Sequence, residues 1–184
     1  NWQARSGRML IESGVTMTGS GDFPAVDVIG SSNTLPSTTY NGDLRVMPQA
    51  TLTLGGANTI TIQGDLIVES ATMAIPDGAD LTVQGDLEIS NGGEIRFTLG
   101  SLQVDGEVSL DAASSTILVL GQAAILGPLS ANNGSAIELG AGSIVSFGGP
   151  VTLLNSSSLT VIASVGEFQE SILVTNSILN LSQT

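Results

Sequence analysis

Four acids stand at matched places in this chain, Asp43, Asp65, Asp86 and Glu107, each one repeat beyond the last. The first three occur in the repeated phrase Gly-Asp-Leu, and the fourth in Gly-Glu-Val. Stacked as neighbouring strands are, at ~4.8 Å, they would form a column of carboxylates whose members repel. Such a column suits Ca²⁺, which takes carboxylate and carbonyl oxygens from several turns of chain. The structural alternative is that each Asp caps its own corner through an Asx-type hydrogen bond. The denser Asp/Gly spacing of calcium-binding β-rolls is missing, which favours the structural alternative, and neither a metal nor another cofactor is expected.

No other constellation of side chains offers a reaction. The chain has no His, Cys or Lys, which removes His- and Cys-based nucleophilic catalysis, and no Gly-x-Ser-x-Gly elbow occurs. A polysaccharide lyase needs a Lys or Arg base, and only Arg45 and Arg96 lie in the regular part of the sequence. A glycoside hydrolase needs clustered carboxylates in a cleft, usually beside aromatics that stack on sugars. Trp2, Tyr40 and four Phe are too few and too scattered for that. An enzyme is not expected. The threonines Thr51, Thr53, Thr59, Thr61 and Thr82 invite comparison with ice-binding solenoids, but matched places hold Thr72 and Ala74, then Glu94 and Arg96. Ordinary β-branched strand preference accounts for them. Asn133-Gly-Ser135, Asn155-Ser-Ser157 and Asn180-Leu-Ser182 match the glycosylation sequon, a motif loose enough to arise by chance.

The elements that carry these residues follow from a repeat. Gly42, Gly64, Gly85, Gly106, Gly127 and Gly149 recur at a nearly constant interval, and one more interval reaches Glu170. Fixed-period self-similarity of this length marks a stack of equivalent units. Each unit holds apolar-x-apolar triplets, such as Leu66-Ile67-Val68, Met73-Ala74-Ile75 and Leu81-Thr82-Val83. Alternate side chains of a strand point to opposite faces, so the outer members of a triplet share one side. The middle members (Arg45, Thr53, Thr61, Thr82, Glu88, Arg96, Gln103) are mostly polar. Gly, Asp, Asn, Pro and Ser separate the triplets, which is turn chemistry. Three short strands and three corners in about 21 residues describe one coil of an all-β, three-sided parallel β-solenoid, or β-helix. A chain of 184 residues holds about eight such coils, with the hand of the coil left open. One coil cannot bury its own apolar side chains, so the coils must stack.

Composition narrows the partners. The formal net charge is −13, from seventeen acids against Arg5, Arg8, Arg45 and Arg96, so nucleic acid is not an expected partner. No apolar run approaches membrane-spanning length, so membrane insertion is not expected either. The first residue is Asn rather than Met, and the repeat is rich in Ser, Thr and Gly. Both fit a mature secreted chain, extracellular or on the cell surface.

Residues 1–41 are the least regular part and are read as irregular N-terminal coils with a surface loop; residues 42–184 are read as the regular solenoid. The stretch 7–17 echoes 64–73, with Met9 and Ile11 inward and Val15 or Met17 following. The stretch 30–41, carrying Leu35, Pro36 and Tyr40, reads as a surface excursion. Beyond Ala112 only Glu138, Glu167 and Glu170 are charged. The last coil, with inward Ile172, Val174, Leu179 and Leu181, shows no helix, Pro or charge cluster to close it. Its completion is expected from another copy or from further sequence, because a bare solenoid end is a row of unpaired main-chain groups.

The phrase Gly-Asp-Leu-Ile-Val at 64–68, with Leu-Thr-Val-Gln-Gly-Asp-Leu-Glu-Ile at 81–89, resembles repeats of secreted microbial β-solenoid proteins. These are adhesin and autotransporter passenger domains of the filamentous haemagglutinin type, and the likeness covers residues 42–105 well and the rest loosely. The architecture is also similar to that of bactofilins, polymers of β-helices stacked end to end, whose repeats are phrased differently. The resemblance implies a rigid extracellular or polymeric scaffold. The expected function is therefore a structural subunit of a surface filament, fibre or sheath whose partner is itself. The alternative is an adhesin or stalk that meets a glycan or a host or neighbour surface protein through a loop or lateral face.

Overall fold

The structure, a computed structural model, describes residues 7–19, 21–56, 59–97 and 100–183. Among these residues there is no helix, and every paired strand runs parallel to its neighbours. The chain winds into a three-faced column of about eight coils, the parallel β-solenoid that the repeat predicts.

The first face is a nine-stranded sheet from Arg8–Ile11, through Leu66–Glu69 and Leu87–Ser90 at its middle, to Ile172–Thr175. The second face starts at Asn33–Pro36 and includes Thr72–Ile75 and Glu94–Phe97; the third starts at Thr39–Tyr40 and includes Ala79–Val83 and Gly100–Val104. These two faces fuse near the C-terminal end, where Ala136–Phe147 and Ser158–Phe168 turn the corner between them as single long strands. A register shift after Gly140 marks that corner. Gly140 has a φ of 109°, and a Cβ there would overlap the Ile162 carbonyl, so only glycine fits.

The register carries the repeat into three dimensions. Leu66, Leu87, Val108 and Leu129 lie directly over one another, each a full repeat from the last. Side chains such as Leu81 and Val83 are fully buried, while Thr82 between them faces partly outward. Each aliphatic removed from water in this way contributes about 1.5–3 kcal/mol.

The reading of 30–41 as a surface excursion is corrected. Asn33–Pro36 pairs with Thr51–Gly55, Thr39–Tyr40 pairs with Thr59–Ile62, and Leu35 and Tyr40 are buried. These residues form a regular coil of different circumference. Arg8 pairs with Ala25 and Val26 with Leu44, which makes the first two circuits shorter than the Leu66-to-Leu87 circuit of the regular part. Two polar side chains fit the short coils to their neighbours. Asn33 Oδ1 accepts the Val15 N–H at 2.9 Å, and its Nδ2 donates to the Gly30 carbonyl at 2.6 Å. The Tyr40 ring stacks on Phe23, with centroids 5.7 Å apart, and its hydroxyl donates to the Pro36 carbonyl at 2.9 Å. Burial pushes the Tyr40 phenol well above its ordinary pKa. Met9, Val15 and Met17 pack against the core as partly buried side chains, beside buried Ile11.

One corner of every coil is turned by a left-handed residue. Gly14, Ser32, Gln49, Ser70, Asn91, Ala112, Asn133, Asn155 and Asn176 occupy this column, all with φ between 45° and 86°. Asn tolerates this region because its short side chain bonds locally, whereas alanine gains nothing there. Below the column runs a second file of small inward residues, among them Ala50, Ala71, Ser115, Ser135 and Ser157. The buried hydroxyls are satisfied by carbonyls; Ser115 Oγ donates to Asp111 at 2.8 Å and Ser157 Oγ to Ala131 at 3.0 Å.

Two substitutions test this account by urea unfolding. Ala112→Gly relieves a left-handed alanine and should stabilise the protein by about 0.5–1 kcal/mol, against a loss if the corner tolerates a Cβ freely. Val83→Asp buries an unpaired carboxylate and should cost more than about 3 kcal/mol, while Thr82→Asp should change stability by less than ~1 kcal/mol. Equal effects of the two aspartates would mean that the assigned inward and outward faces are wrong.

Candidate functional site

Two places merit the name: the acidic corner and the last coil. At the acidic corner the carboxylates do stack, but their hydrogen bonds run between coils. Asp43 Oδ1 accepts the N–H of Asp65 at 3.3 Å, Asp65 Oδ1 that of Asp86 at 2.9 Å, and Asp86 Oδ1 that of Glu107 at 2.8 Å. Each Asp thus caps the next coil, which corrects the expectation that it caps its own corner. The preceding glycine is part of the device, since a Cβ at Gly85 or Gly106 would overlap the carboxylate of Asp65 or Asp86.

The same corner explains where the acids stop. Position 128, in register with 107, is Pro, and position 150 follows it as Pro. Proline has no N–H for the carboxylate of Glu107 beneath it to accept, so the seam of Asp-to-N–H bonds ends at Asp86. Its carbonyl still serves the ladder, accepting from Val108 at 2.8 Å for Pro128 and from Leu129 at 2.9 Å for Pro150.

Asp43 is the most heavily engaged member. Burial pushes its pKa up, but the Asp65 N–H and the guanidinium groups of Arg8 at 3.0 Å and Arg45 at 3.1 Å outweigh this, leaving it below its ordinary value. Arg8 also pairs with Asp27 at 2.6 Å, so one side chain of the first coil ties down the second and third. That Asp27 bond is the main reason the Arg8 pKa is raised. These pairs are partly exposed and each is worth under about 1 kcal/mol. A carboxylate with a lowered folded pKa stabilises fully above its unfolded value of about 3.9, and the contribution disappears as pH falls through the folded value. With one oxygen of each Asp committed to the backbone, the column is a structural seam. No group of three or more His, Cys, Asp or Glu placed to hold a metal ion occurs among the described residues.

The last coil has only two sides in the described chain, Ile172–Thr175 on the first face and Ile178–Gln183 on the second. Ile172 and Val174 lie over Val151 and Leu153, and Leu179 and Leu181 over Leu159 and Val161. The covered residues are buried, whereas Ile172, Val174 and Leu181 are 37%, 39% and 57% exposed. Leu179 packs partly against the core. The four residues singled out from sequence therefore share one end of the column. Each strand there pairs on one side only among the described residues, so a row of main-chain donors and acceptors faces outward.

Further apolar side chains stand at the same end. Leu173 and Ile178 point outward and are 55% and 58% exposed. A hollow at this end is lined by Val161, Ala163, Phe168 and Leu181. Its Phe168 ring stacks on Phe147 with centroids 4.6 Å apart. The two Phe stand one repeat apart in the chain, and that interval is the sequence signal for their stack.

Removing one rung of the acidic seam gives its measure. Asp65→Ala should cost about 1 kcal/mol in urea melts at neutral pH, and Asp65→Asn, which keeps an acceptor oxygen, less than half of that. If the two variants are equally destabilised, the bond to Asp86 contributes nothing.

Comparison of the chain with protein-family models, with curated proteins and with solved structures returns no match in any of the three.

Proposed function

We propose that this protein is a non-catalytic structural subunit of an extracellular surface filament, fibre or sheath, of the kind built from secreted microbial β-solenoids. Assembly proceeds by β-structure of a second copy docking on the coil 172–183. The observation that carries this reading is the abrupt change along one file of the core. Residues buried in every interior coil become 37–57% exposed at Ile172, Val174 and Leu181, beside a row of singly paired main-chain groups. Covering such an edge gains both apolar burial and strand pairing.

Charge supports the same end. Of seventeen acids, only Glu138, Glu167 and Glu170 lie beyond residue 112, so this part of the column approaches another protein with little desolvation cost. Lateral contact has a candidate surface in the same half, where Ile144 and Val165, paired neighbours on the third face, are 52% and 46% exposed. The sparse aromatics and the absence of His, Cys and Lys agree with a scaffold role.

Sedimentation and electron microscopy of the purified chain test the proposal. Association should rise with concentration to filaments, fibres or sheets, and Val174→Asp with Leu181→Asp should weaken it at least ~10-fold. Both positions are already exposed, so the double variant should melt as the parent does. A chain that stays monomeric at the highest attainable concentration overturns the proposal.

A further inference from the structure

The sequence contains three Asn-Gly pairs, Asn41-Gly42, Asn91-Gly92 and Asn133-Gly134. Asn-Gly is the dipeptide in which an asparagine side chain most readily meets the following main-chain nitrogen, because glycine offers no Cβ to block the approach. In the reaction the Gly nitrogen, having lost its proton, attacks Cγ of the asparagine. A new C–N bond forms, the Cγ–Nδ2 bond breaks, and ammonia leaves with the proton. Water then opens the cyclic imide to aspartate or to isoaspartate. No oxidant, metal or enzyme is needed.

The fold treats the three pairs differently. The Gly92 N–H donates to Ser115 Oγ at 3.2 Å and the Gly134 N–H to the Asn155 carbonyl at 3.0 Å. Their asparagine side chains are held as well, Asn91 Nδ2 by Glu69 at 3.1 Å and Asn133 Nδ2 by Asp111 at 2.8 Å. At both, nucleophile and electrophile are each tied to a neighbouring coil. At Asn41-Gly42 neither is. Asn41 is exposed, its side chain has no hydrogen-bond partner among the described residues, and the Gly42 N–H meets no acceptor among them. The Asn41 N–H does donate to the Phe23 carbonyl at 2.7 Å, which anchors the residue without occupying its reactive groups.

We infer that Asn41 is a site of spontaneous deamidation in the folded protein, while Asn91 and Asn133 are protected by the corners they occupy. The consequence is local and directional. Residue 41 lies between buried Tyr40 and Asp43, the carboxylate that Arg8, Arg45 and the Asp65 N–H share. Aspartate there adds a negative charge beside that cluster, and isoaspartate adds a main-chain atom to the junction between the second and third coils. Conversion therefore loosens the two short N-terminal coils and leaves the regular ones intact, a slow chemical clock at one end of the column.

The test is timed incubation of the whole chain in mildly alkaline buffer, folded and in denaturant, with peptide mapping by mass spectrometry. In denaturant the three sites should convert at similar rates. In the folded protein Asn41 should keep a rate within a few-fold of its denatured one. Asn91 and Asn133 should each slow by at least ~10-fold, the factor that about 1.4 kcal/mol of hydrogen bonding to be broken imposes. Conversion of folded Asn91 or Asn133 as fast as Asn41 overturns the inference, as does equal protection of Asn41. A second readout is limited proteolysis of the aged sample. New cleavage should fall within residues 7–41, and its absence there after Asn41 has converted overturns the clock.

Discussion

Each inward apolar side chain in this protein is shielded by the coils above and below it as much as by its own coil. That dependence dictates the rest of the structure. A coil of about 21 residues has too little interior to offset the conformational entropy lost in ordering it, so stability exists only between neighbours. Strands must then pair in parallel and in register, because a slip of one residue would turn inward aliphatics to water. The corners must also bring the chain back to the same place after each circuit. The two corner files, left-handed residues on one edge and Gly-Asp or Gly-Pro on another, are solutions to that closure problem.

The Gly-Asp seam shows how a motif with the look of chemistry arises from backbone needs. At a tight corner the N–H of one coil points along the column with no strand carbonyl to receive it. An aspartate one coil earlier supplies the oxygen, and a glycine beside it supplies the room. At Pro128 and Pro150 there is no N–H to receive, and the residues one coil earlier are Glu107 and Pro128 rather than Asp. The hydrogen bonds from Asp43, Asp65 and Asp86 to the N–H of the next coil are what make this file a structural seam.

Much of the fold was legible in the sequence because the repeat is nearly constant in length from Gly42 onward and the triplets alternate cleanly. What escaped was hidden by a change of period. Leu35 and Tyr40 are core residues, but the circuits from Arg8 to Ala25 and from Val26 to Leu44 are shorter, so a search at the longer period finds noise and sees a loop at 30–41. The left-handed file was hidden for a different reason. Ser, Gln, Asn and Ala share its conformation, and no single residue type marks it. At the end of the column, Ile172 and Val174 lie on one strand of the last coil and Leu179 and Leu181 on the other. Their exposure is a property of stacking, which a pattern of residue types does not carry.

Stability that resides between neighbours also sets how damage spreads. An interior coil is held from both sides, whereas a coil at either end of the described chain is held from one, so loosening starts at the ends and proceeds inward. The two ends meet this differently. At the N-terminal one, Arg8 reaches across to Asp27 and Asp43, Asn33 stands in for missing main-chain partners, and Tyr40 with Phe23 fills the narrowed core. Those are side-chain devices that substitute for a neighbour. In the coil 172–183 the Ser177 hydroxyl bonds to Ser157 and to the Thr175 carbonyl, and the inward aliphatics Ile172, Val174 and Leu181 are the ones that water reaches. Covering those side chains would gain apolar burial, the same exchange that holds one interior coil to the next.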